Sequence, residues 1–124
     1  MGMIILYVAD QLRSRDFYEK AFGISPTLDV PGMTELVIGD MTLGLMPEKG
    51  IAKILGDTIA HPETGSGIPR CELYLYVDDP REQYEKALAA GAKGLSPPAA
   101  RDWGDEAAYC ADPDGHILAF ARKI

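Results

Sequence analysis

The chain has 124 residues, with 12 Lys+Arg against 19 Asp+Glu and a formal charge of −7. At 47% hydrophobic and 25% charged residues it has the makings of one folded domain over 1–124, and its length buries roughly 65% of the unfolded surface. Scattered cations on an acidic chain exclude nucleic acid and an anionic membrane surface as partners.

No apolar run approaches the ~20 residues that span a bilayer, and MGMIILYVADQ lacks a basic n-region and a cleavage site, so a cytoplasmic location is expected. Cys71 and Cys110 form no CxxC pair, and both read as buried free thiols.

Taken in order, the chain states one pattern twice. Met3 to Val8 reads as a strand of β-branched, aromatic and aliphatic residues. Asp10 is placed to cap a helix with an apolar stripe of Leu12, Phe17, Ala21 and Phe22, and Gly23 to end it. Extended stretches follow at Pro26–Val30, Thr34–Ile38 and Met41–Met46, parted by Pro31-Gly32 and Gly39-Asp40. A connector over 47–70 carries a short helix near Ile51–Leu55. The pattern then returns. LYVADQLRSRDFYEKAFG (6–23) is matched by LYVDDPREQYEKALAAG (75–91), with Asp79-Pro80 as cap and first turn and Gly91 at the end. Three more extended stretches close the chain at Lys93–Ser96, Glu106–Ala111 and His116–Ala121, the last two joined by the turn Asp112-Pro113-Asp114-Gly115.

The expected fold class is therefore α+β: two βαβββ modules, over 3–47 and 71–122. One helix covers one face of a four-stranded sheet and leaves the other open, so two modules can form a cupped eight-stranded mixed sheet with helices on the outer face. Alternation sends Ile4, Leu6, Val8, Leu43, Leu45, Leu73, Leu75, Val77, Leu118 and Phe120 beneath the helices. It leaves Met3, Ile5, Tyr7, Gly44, Met46, Glu72, Tyr74, Tyr76 and Ala119 facing the cup. Such an apolar, aromatic lining with few polar groups suits a small organic ligand.

The stretches V-x-D-x6-FYEKxFG, V-D-D with YEKALAAGA, and WGDEAAYCADPDGHILAFA resemble the glyoxalase/bleomycin-resistance/dioxygenase superfamily, also called vicinal oxygen chelate, over Met3 to Arg122. The resemblance implies paired βαβββ modules, usual dimerisation, and in some members exchange of modules between chains. Its metal-dependent members take one ligand from each of four strands; those positions fall here on Met3, Gly44, Glu72 and Ala119. A catalytic ion asks for about three protein donors of hard or borderline type, and only Glu72 offers one. No metal or other cofactor is expected.

Glu72 is the residue that would carry chemistry, as a polar anchor or a general base, and His61 with Glu72 is the one acid/base pair that can be assembled. His116 shares the parity of Leu118 and should point from the cup into solvent. The loop holding Trp103 borders the pocket in the resembled family, so Trp103 could stack on a flat ligand, with Arg101 free for an anionic group. The expected function is metal-free binding of a small organic molecule by a homodimer, of the kind that sequesters a drug or metabolite. The alternative is a lyase, isomerase or dioxygenase of lactoylglutathione lyase type.

Overall fold

The computed structural model describes residues 2–65 and 67–124; Met1 and Ser66, the latter in the expected connector, lie outside the described residues. The first module runs β1 (Met3–Val8), α1 (Gln11–Phe22), β2 (Leu28–Val30), β3 (Met33–Ile38) and β4 (Met41–Pro47). The second runs β5 (Glu72–Tyr76), α3 (Pro80–Ala89), β6 (Lys93–Ala100), β7 (Asp105–Ala111) and β8 (Ile117–Lys123). Between them lie α2 (Glu48–Leu55) and two single 3₁₀ turns, Gly56–Thr58 and Pro62–Thr64. No helix among the described residues is long and apolar enough to cross a membrane.

The repeat is carried by matching local chemistry. Asp10 accepts the Arg13 amide at 3.0 Å, and Asp79 accepts those of Arg81 and Glu82 at 3.1 and 3.2 Å. Gly23 closes α1 in the left-handed conformation, φ 65°, where a Cβ would be strained. In each module the helix carries the chain from the first strand to the opposite edge of the sheet, the strands return antiparallel, and the last lies parallel beside the first.

The α+β, two-module reading holds; most strand ends shift by one or two residues, and two boundaries move further. The connector helix starts at Glu48 rather than Ile51, directly after β4. The sixth strand runs on from Ser96 through Pro97 and Pro98 to Ala100, because it is an edge strand whose pairing shifts register between Ser96 and Ala99. Prolines at such an irregularity forfeit no ladder hydrogen bond.

The eight strands divide into two separately bonded sheets, β1-β4-β3-β2 and β5-β8-β7-β6. Their helix-side residues share one core: Leu6, Val8, Leu36, Leu43 and Leu45 from the first, Leu73, Cys110, Leu118 and Phe120 from the second, with Phe17, Tyr18, Ala21 and Ala87 from the helices. The modules therefore meet through their helices. Phe22 packs edge-on to Phe120 at 6.0 Å, and Gln83 Nε2 donates to the Ala21 carbonyl at 2.6 Å. Each sheet is left with a face that α1 and α3 do not cover, touched on the first sheet by α2 at Met46.

Candidate functional site

The face assignment made from alternation agrees with the burial except at Ile4, which is exposed near the start of the edge strand β1 rather than covered by the helix, and it puts the candidate residues on the two helix-free faces. On the first sheet, Ile5 is paired with Gly44, Gly44 with Glu35, and Glu35 with Leu28. Met3, Ile5, Leu28, Val30 and Val37 are all exposed, an open apolar surface of the kind that marks a binding face. Gly44 is itself buried: a Cβ there would stand 3.3 Å from Met33 Sδ and 3.4 Å from Met3 Sδ. A cavity of about 260 Å³ opens beside it, lined by Gly2, Met3, Glu35 and Thr42. Glu35, the carboxylate of this face, was not singled out from sequence, although its parity with Met33 and Val37 was available to find it.

On the second sheet, Tyr74 pairs with Ala119 and Ala119 with Tyr109, while Tyr76 pairs with Ala121 and Ala121 with Ala107. Small residues form the floor, with Ala107, Ala119 and Ala121 fully covered, and aromatic rings stand over them. Burial pushes the Tyr109 hydroxyl above its ordinary value, and the nearby charge of Glu72 pushes the same way.

At the far end of this face the hydrogen bonds converge on Asp105. Its Oδ2 accepts from the Tyr74 hydroxyl at 2.7 Å and the Tyr76 hydroxyl at 3.0 Å, and the Trp103 indole donates to the Tyr74 oxygen at 2.9 Å. The two tyrosine rings meet edge to face, 5.6 Å apart. The Tyr74 hydroxyl holds the Asp105 carboxyl below the usual range, against the opposing effect of its desolvation. Sequence reasoning placed Trp103 and both tyrosines here but missed Asp105, whose spacing of two and four residues from Ala107 and Tyr109 assigns it to this face.

Three expectations need correction. Cys71 is exposed, because it precedes β5 at the end of the connector; Cys110 is buried as expected. Arg101 is not free for an anion: its Nη2 donates to the Ala107 carbonyl at 2.8 Å, Ser96 Oγ at 2.9 Å and the Pro97 carbonyl at 3.3 Å, with the guanidinium 5.3 Å from the Tyr109 ring. Those contacts brace the irregular β6–β7 edge. His116 points away from the helix-free face but not into open solvent, since its Nδ1 lies 2.9 Å from the buried Asp112 Oδ2. His61 lies 3.7 Å from Glu63, in a shallow cleft it shares with Glu48 and Lys49 of α2.

The structure brings the four positions implied by the resemblance together in pairs. Met3 and Gly44 adjoin on the first sheet, whereas Glu72 and Ala119 lie on adjacent strands of the second. No strand of one sheet is hydrogen-bonded to a strand of the other among the described residues. A thioether, a glycine and a fully covered alanine beside one carboxylate do not fit a catalytic divalent ion. Asp112, Asp114 and His116 do bring ligand atoms within 4.8 Å of one another. Asp112 is already committed, accepting four hydrogen bonds, from the Asp114 and His116 amides, the Tyr18 hydroxyl and His116 Nδ1, while Asp114 Oδ2 is buried without a partner. Asp114 Oδ1 meanwhile takes the Ala9 amide and the Arg13 guanidinium. The group is a joint that ties the β7–β8 turn to α1.

The sequence model of the Glyoxalase/Bleomycin resistance protein/Dioxygenase superfamily matches residues 1–120. An uncharacterized protein of Mycobacterium bovis is 30% identical over 123 residues, covering 96% of this chain and 80% of the relative. Among solved structures, a glyoxalase-related enzyme from Fulvimarina pelagi superposes with a TM-score of 0.83 at 26% identity, covering 98% of this chain and 86% of that one. A bleomycin-binding protein complexed with bleomycin superposes with a TM-score of 0.66 at 22% identity, covering 100% and 98%.

Proposed function

The chain belongs to the Glyoxalase/Bleomycin resistance protein/Dioxygenase superfamily, and on that footing we propose that it binds a small, partly aromatic molecule without a metal, as a cytoplasmic homodimer. The observation that carries this reading is the donor set. Three of the four positions at which metal-dependent relatives would take ligands hold Met3, Gly44 and Ala119, set into faces of Met, Tyr, Trp and alanine. Such faces release water from a flat apolar ligand and orient it through a few polar groups. Of these, Glu72 is the anchor for an amine or hydroxyl. The bleomycin-bound relative supports small-molecule binding as a use of this fold.

The open faces support the homodimer. Within one chain the modules meet through their helices, so the first-sheet face with Met3, Ile5 and Gly44 and the second-sheet face with Glu72 and Tyr74 open separately. A second copy that laid its second-sheet face over the first-sheet face would enclose both sets in one cup and cover exposed Met3, Ile5 and Tyr76. Two such cups would form per dimer.

The test is quenching of Trp103 fluorescence across planar antibiotics and thiol conjugates, with sedimentation to fix the oligomeric state. Saturable quenching that weakens in Glu72→Gln while the circular dichroism spectrum is unchanged supports the reading. Stoichiometric metal in protein purified without chelator, with several degrees of stabilisation by Ni²⁺, Zn²⁺, Mn²⁺ or Fe²⁺, would reject it in favour of a lactoylglutathione lyase-like enzyme.

A further inference from the structure

Asp105 is 2% exposed, and one of its oxygens is left without a hydrogen bond. Oδ2 takes both tyrosine hydroxyls; Oδ1 is equally hidden from water and takes nothing. The nearest charge is Lys123 Nζ, 3.6 Å from Oδ1, an ion pair too long to count as a hydrogen bond. A buried carboxylate oxygen in this condition forgoes both its hydration and a charge-assisted bond.

Lys123 is a poor permanent partner for it. Its side chain is 77% exposed, and holding so long a chain in one rotamer costs conformational entropy. Its ammonium nevertheless sits where a cation is favoured on two further counts. It lies 4.9 Å from the centroid of the Tyr76 ring and 3.1 Å from the Tyr76 hydroxyl. Tyr74, edge-on to Tyr76, and the half-exposed indole of Trp103 continue the aromatic wall beside it. Carboxylate, ring faces and a hydroxyl acceptor together make the chemistry of an ammonium site.

We propose that the corner formed by Asp105, Tyr76, Tyr74 and Trp103 is a binding site for the ammonium or guanidinium group of a small organic molecule, with Lys123 as an internal stand-in that the ligand displaces. The inference rests on reading the second-sheet face as a ligand surface and adds the charge of the ligand. Displacement swings Lys123 into water at the end of β8, where nothing else holds it. The incoming N–H then reaches Oδ1 at hydrogen-bond length, and the attached carbon framework lies along Trp103 toward the alanine floor.

The experiment is a calorimetric titration of the full chain with phenethylammonium and, as the uncharged match in shape, 2-phenylethanol. Wild type, Lys123→Met and Asp105→Asn are compared, and Trp103 fluorescence is a second readout. Lys123→Met keeps the aliphatic stem at an exposed position, so its folding is not at risk. The expected result is binding of the ammonium in preference to the alcohol, affinity for the ammonium about tenfold higher in Lys123→Met, and loss of the preference in Asp105→Asn. Equal or weaker ammonium binding in Lys123→Met overturns the proposal even if Asp105→Asn fails to fold. If the alcohol and planar antibiotics bind all variants alike, the ligand face stands and the cation site falls. If neither probe binds wild type or Lys123→Met, the cation site falls as well.

Discussion

Replacing Asp112 by alanine should cost this protein a large share of its stability, and the structure gives the size. The carboxylate is fully buried, and its four accepted hydrogen bonds come from the Tyr18 hydroxyl at 2.6 Å and from the Asp114 amide, the His116 amide and His116 Nδ1 at 2.9 Å each. Tyr18 is itself fully buried in α1, so its hydroxyl has no water to turn to once the acceptor is gone; that orphan alone costs about 1–3 kcal/mol. The donors in the turn are closer to solvent and recover part of their loss, at about 0.5–1 kcal/mol each. The sum, about 2.5–6 kcal/mol, is set against the ~5–15 kcal/mol that holds a typical domain together. Urea unfolding followed by Trp103 fluorescence and circular dichroism measures it. Tyr18→Phe keeps the ring in the core and should cost about 1–2 kcal/mol, and because both changes remove one bond, the double variant should fall short of their sum by at least ~1 kcal/mol. A loss below about 1.5 kcal/mol for Asp112→Ala, or additivity within ~0.5 kcal/mol, would mean that the hub does not join the modules energetically.

The same joint sets a pH window. Burial lowers the affinity of His116 for its proton, but Asp112, with Asp114 and Glu48 behind it, outweighs that and raises its pKa above the ordinary 6.5. The stability from the protonated imidazole is complete below about pH 6.5 and is lost as pH rises through the raised folded value. Asp112 is the opposite case: burial pushes its pKa up, yet His116 and the Tyr18 hydroxyl bring it below 3.8, so its contribution is present above that value and lost on acidification through the lower one. Unfolding midpoints should therefore be highest between about pH 4 and pH 6.5, and His116→Gln should flatten the alkaline limb; an unchanged limb would exclude His116 as its source. For the thiols, burial followed by the Asp112 charge pushes Cys110 up to about 12, whereas Cys71 is exposed. An aromatic disulfide reagent at pH 8 should titrate one thiol per folded chain and the second only on denaturation, and two fast equivalents would contradict the burial of Cys110. Arg101→Lys loses the fork that holds Ala107, Ser96 and Pro97, at about 1–2 kcal/mol, with little effect on affinity for carboxylate-bearing compounds; a large drop in that affinity would return Arg101 to the ligand site.

The repeat, the helix caps and the facing of the first and last strand of each module were legible in the amino-acid order, because each depends on interactions within a few residues. A carboxylate at Asp10 or Asp79 finds amides two or three positions on, and a strand side chain alternates whatever lies beyond it. Parity likewise placed Met3, Gly44, Glu72 and Ala119 on helix-free faces and exposed the lack of donors among them. What only the tertiary structure decided was pairing at a distance. Asp105 reads as one more acidic residue in a loop until β5 and β8 bring Tyr74, Tyr76 and Lys123 to it from 31, 29 and 18 positions away along the chain. Asp112 reads as a turn former until α1 delivers Tyr18 from 94 residues off. Arg101 reads as a free cation until the bent β6–β7 edge turns carbonyls toward it. Local order fixes conformation and facing through short-range sterics and hydrogen bonding; which charges and hydroxyls meet depends on how the two modules pack, and that is set by the shape of the shared core.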